Sequence, residues 1–151
     1  MSEPQASISP ALFYRDKVAA IRWLEEAFGF DTTLVVTNPD GQPGHCEMGY
    51  GGVTFAIESH WADWTRSPAS LGGANTQSIR MTIDGDIDAH CERARAAGGK
   101  IITEPMTEYY GMRLYDVVDL EGHVWRFEKV IQKMTLAEMQ AAGGFAIRDK
   151  L

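Results

Sequence analysis

One pattern is written twice in this sequence, and it restricts the fold more than any other feature. The segment VAAIRWLEEAFG (18–29) lies over IDAHCERARAAG (87–98), 69 residues later, with Ala20 over Ala89 and Gly29 over Gly98. GVTFAIE (52–58) lies over GHVWRFE (122–128) at a spacing of 70, so one inserted residue keeps the copies in step. Few identities are shared; what repeats is the order of patterns. Each copy predicts a short alternating strand, at 8–14 and 78–83, then an amphipathic helix closed by glycine. Asp16 is placed to cap the first helix, and Asp84 or Asp86 the second. Three further strands follow in each copy: 32–37, 45–50 and 53–58 in the first, 100–103, 113–118 and 123–130 in the second. Turn residues separate them, among them Asn38-Pro39-Asp40-Gly41, Gly51-Gly52 and Asp119-Leu120-Glu121-Gly122.

The fold class that follows is α+β, with paired βαβββ modules at about 7–58 and 77–130 in a single domain of residues 1–130. Residues 131–151 form a C-terminal helix and tail. There, Thr135-Leu136-Ala137-Glu138 has the spacing of a capping box, and Gly143-Gly144 ends the helix near Ala142. The apolar Phe145 and Ile147 have no counterpart in the repeat, which predicts that the tail packs on the domain or on a second subunit. Between the modules, the small residues of 67–75 read as a linker or flexible loop, with Trp61 and Trp64 just before it.

Composition narrows the function classes. With 44% hydrophobic and 23% charged residues in 151, the chain has enough apolar material for a packed core. A net charge of −7 disfavours nucleic acid and anionic membranes as partners. No apolar run approaches the roughly 20 residues of a membrane helix, and the opening residues lack the basic start and apolar core of a signal peptide. A cytoplasmic location is the expectation. Cys46 and Cys91 form no metal-binding or disulfide pattern and read as buried thiols.

Alternation assigns the faces. Ile79, Met81 and Ile83, with Trp125 and Phe127, form an apolar face covered by helix positions Val18, Ile21, Leu24, Phe28, Ile87, Cys91 and Ala94. The opposite face then carries Ser78, Arg80, Thr82, Arg126 and Glu128 in one module, and Thr54, Ala56 and Glu58 in the other.

The stretch Tyr110-Gly-Met-Arg-Leu-Tyr-Asp-Val-Val-Asp-Leu-Glu-Gly-His-Val-Trp125, together with Gly29 and Arg95-Ala-Ala-Gly-Gly99, resembles the glyoxalase/bleomycin-resistance group of the vicinal oxygen chelate superfamily. The family motif reads Tyr-Gly-x-Arg, then Asp-Pro-x-Gly-x-x-Trp; Leu120 stands at the proline. The resemblance covers about residues 8–130. It implies two modules curling a sheet around a small-molecule cavity, commonly in a homodimer, with a divalent metal held in the enzymes by one His or Glu from each of four strands. Those positions align with Ser9, Ala56, Ser78 and Arg126, a poor donor set, and a shift of one residue gives Pro10, Phe55, Ile79 and Trp125.

The reading that follows is a small-molecule-binding protein without the usual metal and with no cofactor, taking an anionic or aromatic ligand. Arg80 and Arg126 would orient its polar groups, beside Ser78. Phe13, Trp61 and Trp64 would give apolar contact, and Glu58 or Glu128 would accept hydrogen bonds. Against it stands a plain salt-bridge network of Arg80 and Arg126 with Glu58 and Glu128. The alternative function is a metal-dependent lyase or dioxygenase with a displaced divalent-metal site at His45 and Glu47, which share a strand face. A non-catalytic interaction protein, and a metal-free enzyme with Glu58 or Glu128 as base, are further readings. No catalytic residue is assigned.

Overall fold

Both long helices start at an aspartate that accepts a hydrogen bond from a first-turn amide. In the computed structural model, which describes residues 6–151, Asp16 Oδ1 accepts from the Ala19 amide and Asp86 Oδ1 from the Ala89 amide, each at 3.0 Å. Asp86, not Asp84, is therefore the second cap. The helices are α1 (Lys17–Phe28) and α2 (Ile87–Ala96). Gly29 ends α1 at φ 71°, a left-handed conformation that glycine adopts without a Cβ clash.

The chain divides into two units, one reaching to Ala74 and the other spanning Asn75–Leu151. In the first, β1 (Ala11–Tyr14), α1, β2 (Asp31–Thr37), β3 (Pro43–Tyr50) and β4 (Val53–Ser59) give a four-stranded sheet of order β1-β4-β3-β2. In the second, β5 (Ile79–Thr82), α2, β6 (Lys100–Thr107), β7 (Met112–Val118) and β8 (Val124–Val130) give β5-β8-β7-β6. In both sheets the first strand runs parallel to the last, and the remaining pairs are antiparallel. The helix between first and second strands makes that parallel return feasible. The paired βαβββ architecture is as the repeat predicts, with strand ends moved by a few residues.

Each unit packs one sheet face against its own helix. In the first, Leu12, Tyr14, Cys46, Met48, Phe55 and Ile57 are buried with Ala20, Leu24, Ala27 and Phe28 of α1. The buried face of α1 is rotated from the expected one: Val18 is exposed and Ile21 only half-buried, while Ala20 and Ala27 let the helix approach the sheet. Bulk at Leu24 and Phe28 sets that rotation, and Phe28 stacks edge-on against Trp23 and Phe30. In the second unit, Met81, Tyr115, Val117, Trp125 and Phe127 are buried with Ile87, Cys91 and Ala94 of α2. Tyr115 meets His90 Nδ1 at 2.7 Å, and burial raises its hydroxyl pKa well above the usual range.

The family-like motif explains itself locally. Asp119 is buried, and its Oδ1 accepts from the Glu121 and His123 amides while Oδ2 accepts from Trp125 Nε1, all at 3.0 Å. One carboxylate thus closes the β7–β8 turn and anchors the largest core side chain.

One expectation is corrected, and one open alternative takes its first form. The 67–75 stretch is more than a linker: it contains a 3-10 turn, Pro68–Leu71, with Thr65 and Ser67 buried and the Ser67 amide donating to His60 Nε2 at 2.8 Å. The C-terminal helix α3 (Leu136–Gly143), opened by the expected capping box on Thr135 and Glu138, sits on its own unit. Tyr109 packs against Phe145 at 5.6 Å, and a Cβ at Gly143 would lie 2.5 Å from the Tyr109 ring.

Candidate functional site

The sheet face turned away from α2 is polar but paired. β5–β8 register sets Arg80 beside Arg126 and Thr82 beside Glu128. β7–β8 register sets Asp116 opposite Arg126 and Leu114 opposite Glu128. Arg126 grips Asp116 through two parallel hydrogen bonds, Nε to Oδ1 at 2.7 Å and Nη2 to Oδ2 at 2.9 Å. Arg80 Nη2 donates to both Glu128 oxygens, at 3.0 and 2.9 Å. Both carboxylates are buried, and Leu114 beside them is buried too, while Arg80 and Thr82 of β5, with Ser78 ahead of them, stay exposed. The Arg126 guanidinium, and then Thr103, hold the Asp116 carboxyl below the ordinary range against the opposing effect of burial.

Arg80 and Arg126 therefore meet carboxylates of their own unit. The network expected from sequence is half present: Glu128 takes Arg80, but Arg126 takes Asp116, and Glu58 takes His45 instead. Asp116 was missed because it stands in the run Leu114-Tyr115-Asp116-Val117, where β7 is buried on both faces and alternation disappears. Tyr110 was also not assigned a place. Burial raises its hydroxyl pKa, and it lies within electrostatic reach of Glu108, Arg126, Glu128 and Arg80. Ser78 is exposed just before β5.

In the first unit, the corresponding face carries Glu47, His45 and Glu58. His45 Nδ1 lies 2.5 Å from Glu58 Oε1 and its Nε2 lies 3.0 Å from Glu47 Oε1. With both carboxylates ionised, an imidazolium donating through both N–H groups satisfies both contacts, and the hydrogen bonds to Glu47 and then Glu58 raise the His45 pKa. Beside them, Phe13 is the register partner of Glu58. Phe13 meets Trp64 edge-on at 6.0 Å, and Trp64 meets Trp61 edge-on at 4.9 Å. The two tryptophans are 62% (Trp61) and 70% (Trp64) exposed, an unusual degree for such large apolar rings.

The family's four metal positions do not fit a cation in this chain. Ala56 has no donor, Arg126 is a cation already held by Asp116, and Ser9 Oγ donates to the Thr54 carbonyl at 2.9 Å. Among the described residues, no group of three or more His, Cys, Asp or Glu side chains is arranged to hold a metal, the His45 and Glu47 pair included. The thiols are buried, and burial pushes Cys91 up to about 11.

A family model for the Glyoxalase/Bleomycin resistance protein/Dioxygenase superfamily matches residues 8–127. The chain belongs to this superfamily. TioX from Micromonospora sp. ML1 is similar in structure: 30% identity over 86% of this chain and 100% of that one, with a TM-score of 0.65. A superfamily enzyme from Burkholderia phytofirmans PsJN shares the fold at 23% identity, covering 83% of this chain and 99% of that one, with a TM-score of 0.60. An uncharacterized protein of Mycobacterium bovis is 29% identical over 142 residues, 91% of this chain and 92% of its own length. In the superfamily member described here, no helix among the described residues is long and apolar enough to cross a membrane.

Proposed function

We propose that this superfamily member is a binding protein that holds a small aromatic molecule against the polar sheet face of its first unit, without a metal at the family's four strand positions. The observation that carries this reading is the Arg126–Asp116 fork. At the strand position where the family's enzymes place a metal-binding carboxylate or imidazole, this chain has a guanidinium fixed by a buried acid. Apolar contact comes from Phe13, Trp61 and Trp64, whose exposed rings suit stacking on a planar ligand. Glu58 supplies a polar contact beside these rings in the first unit, while Arg80, Arg126, Ser78 and Glu128 offer polar groups on the second unit's own face. The pairing of both arginines shifts the favoured ligand from an anion toward an aromatic molecule, since an incoming anion would have to displace a buried carboxylate. Homodimerisation and a cytoplasmic setting belong to the same proposal.

The test is a tryptophan-fluorescence titration against a library of planar aromatic compounds, run with chelator present. Saturable quenching, lost in a Trp61→Ala/Trp64→Ala variant that keeps its thermal transition, is the expected result. No saturable binding, or binding that depends on added divalent metal, would overturn the reading.

A further inference from the structure

The two sheets can be superimposed residue by residue through their registers, and the comparison exposes a missing charge. In both, a carboxylate on the third strand of the module faces the residue that is the parallel partner of the first strand. Glu47 faces Ala56, which pairs with Ala11; Asp116 faces Arg126, which pairs with Arg80. Glu58 and Glu128 likewise occupy equivalent places, two residues beyond Ala56 and Arg126. Thus both units keep the same two carboxylates, but the second unit neutralises them with two arginines while the first has two alanines where those arginines stand. His45, two residues before Glu47, takes the place that Leu114, two residues before Asp116, has in the second unit. Among the described residues, His45 bonds both glutamates.

The deficit is local. The charged groups meeting His45 are Glu47 on its own strand and Glu58 on β4. β2 runs alongside as Leu34-Val35-Val36-Thr37, without charge, and β1 presents Ala11 and Phe13. Lys17 of α1 donates to the Gly44 carbonyl. Phe13, two residues after Ala11 on β1, meets Trp64 edge-on, and Trp64 in turn meets Trp61.

We propose that the first unit's face is a subsite for an organic cation, the ammonium or amidinium group of an aromatic ligand, which occupies the place of the two absent arginines between Glu47 and Glu58 while its ring lies on Trp64 and Trp61. The inference rests on the aromatic-ligand reading above and adds the sign of the charge. Carboxylates give the cation charge-assisted hydrogen bonds, and the tryptophan faces add cation–π attraction. Because the ligand competes with the His45 imidazolium for the same oxygens, binding expels a proton and tightens as pH rises.

Calorimetric titration with tryptamine, tryptophol and indolepropionate, three indoles differing in side-chain charge, provides the test. The cationic tryptamine is expected to bind at least about tenfold more tightly than the other two. In Glu47→Gln/Glu58→Gln the preference should collapse to about twofold. Ala56→Arg, which rebuilds the second unit's arrangement in the first, should abolish tryptamine binding while leaving the thermal transition intact. Equal affinity for all three indoles overturns the cation subsite and leaves the aromatic reading standing. Retained tryptamine binding in Ala56→Arg overturns it as well. Failure of tryptamine to bind at millimolar concentration overturns it too, and if the aromatic library also fails, the reading beneath it falls.

Discussion

Replacing Arg126 with alanine separates a structural counter-ion from a ligand clamp. The substitution leaves Asp116 buried beside Leu114 with its main partner gone. Breaking a buried pair by removing one member costs on the order of 3–5 kcal/mol, whereas exposed pairs are worth about 1 or less. The Asp116 side chain is 11% exposed and that of Arg126 34%, so the expected loss lies between these limits, at about 2 kcal/mol. For a chain of this size that corresponds to a fall of roughly 4–8 °C in melting temperature.

The pH dependence gives the sharper test. The folded-state pKa of Asp116 is lowered, chiefly by Arg126, so the pair stabilises the protein above the ordinary carboxylate pKa of about 4 and loses that effect as pH falls through the lowered value. Urea unfolding of wild type and Arg126→Ala should therefore differ most at neutral pH and converge in acid. Arg126→Ala/Asp116→Asn should recover part of the loss, because the stranded charge is gone. A difference below about 0.5 kcal/mol that does not change between neutral and acid pH would refute the argument.

Three further outcomes follow. Asp119→Ala strands the Trp125 indole N–H and two backbone amides, and should destabilise the protein by about 2–4 kcal/mol in chemical denaturation; a loss under about 1 kcal/mol would contradict the turn-anchor role. Gly111→Ala places a Cβ 2.1 Å from the Gln132 carbonyl oxygen at φ 83°, so the β6–β7 turn must separate from the segment leading to α3. Faster hydrogen exchange at the Ile131 and Gln132 amides, both bonded to the Gly111 carbonyl, would report it, and unchanged exchange would speak against it. Cys91 should react with a thiol reagent at pH 8 only after unfolding, given its burial and a pKa pushed up to about 11.

Much of the fold was legible because its signals were local. Asp16 and Thr135 announced helix starts, Gly29 a helix end, and the alternation of Ile79 to Ile83 and Trp125 to Glu128 assigned faces that burial follows. What the sequence hid was set by partners distant along the chain. The rotation of α1 depends on how Leu24 and Phe28 seat on the sheet, which a list of apolar positions containing Val18 and Ile21 does not reveal. Asp116 lay inside a strand buried on both faces, where no period marks orientation, so the acid that fixes Arg126 was invisible. His45 and Glu47 were legible as cofacial neighbours from their spacing; that Glu58 completes the cluster came only from β3–β4 register. The equivalence between Ala56 and Arg126 was present in the aligned repeats, but its meaning required the positions of Glu47 and Asp116.

The most direct test of the central claim is the metal content of untagged protein, purified without chelator after growth with Mn, Fe, Ni, Co and Zn, measured alongside aromatic-ligand affinity with and without added chelator. The account predicts far less than one metal ion per chain and the same ligand affinity in both conditions. One metal ion per chain, lost in His45→Ala together with ligand binding, would contradict it and place a metal centre on the face assigned here to an organic ligand.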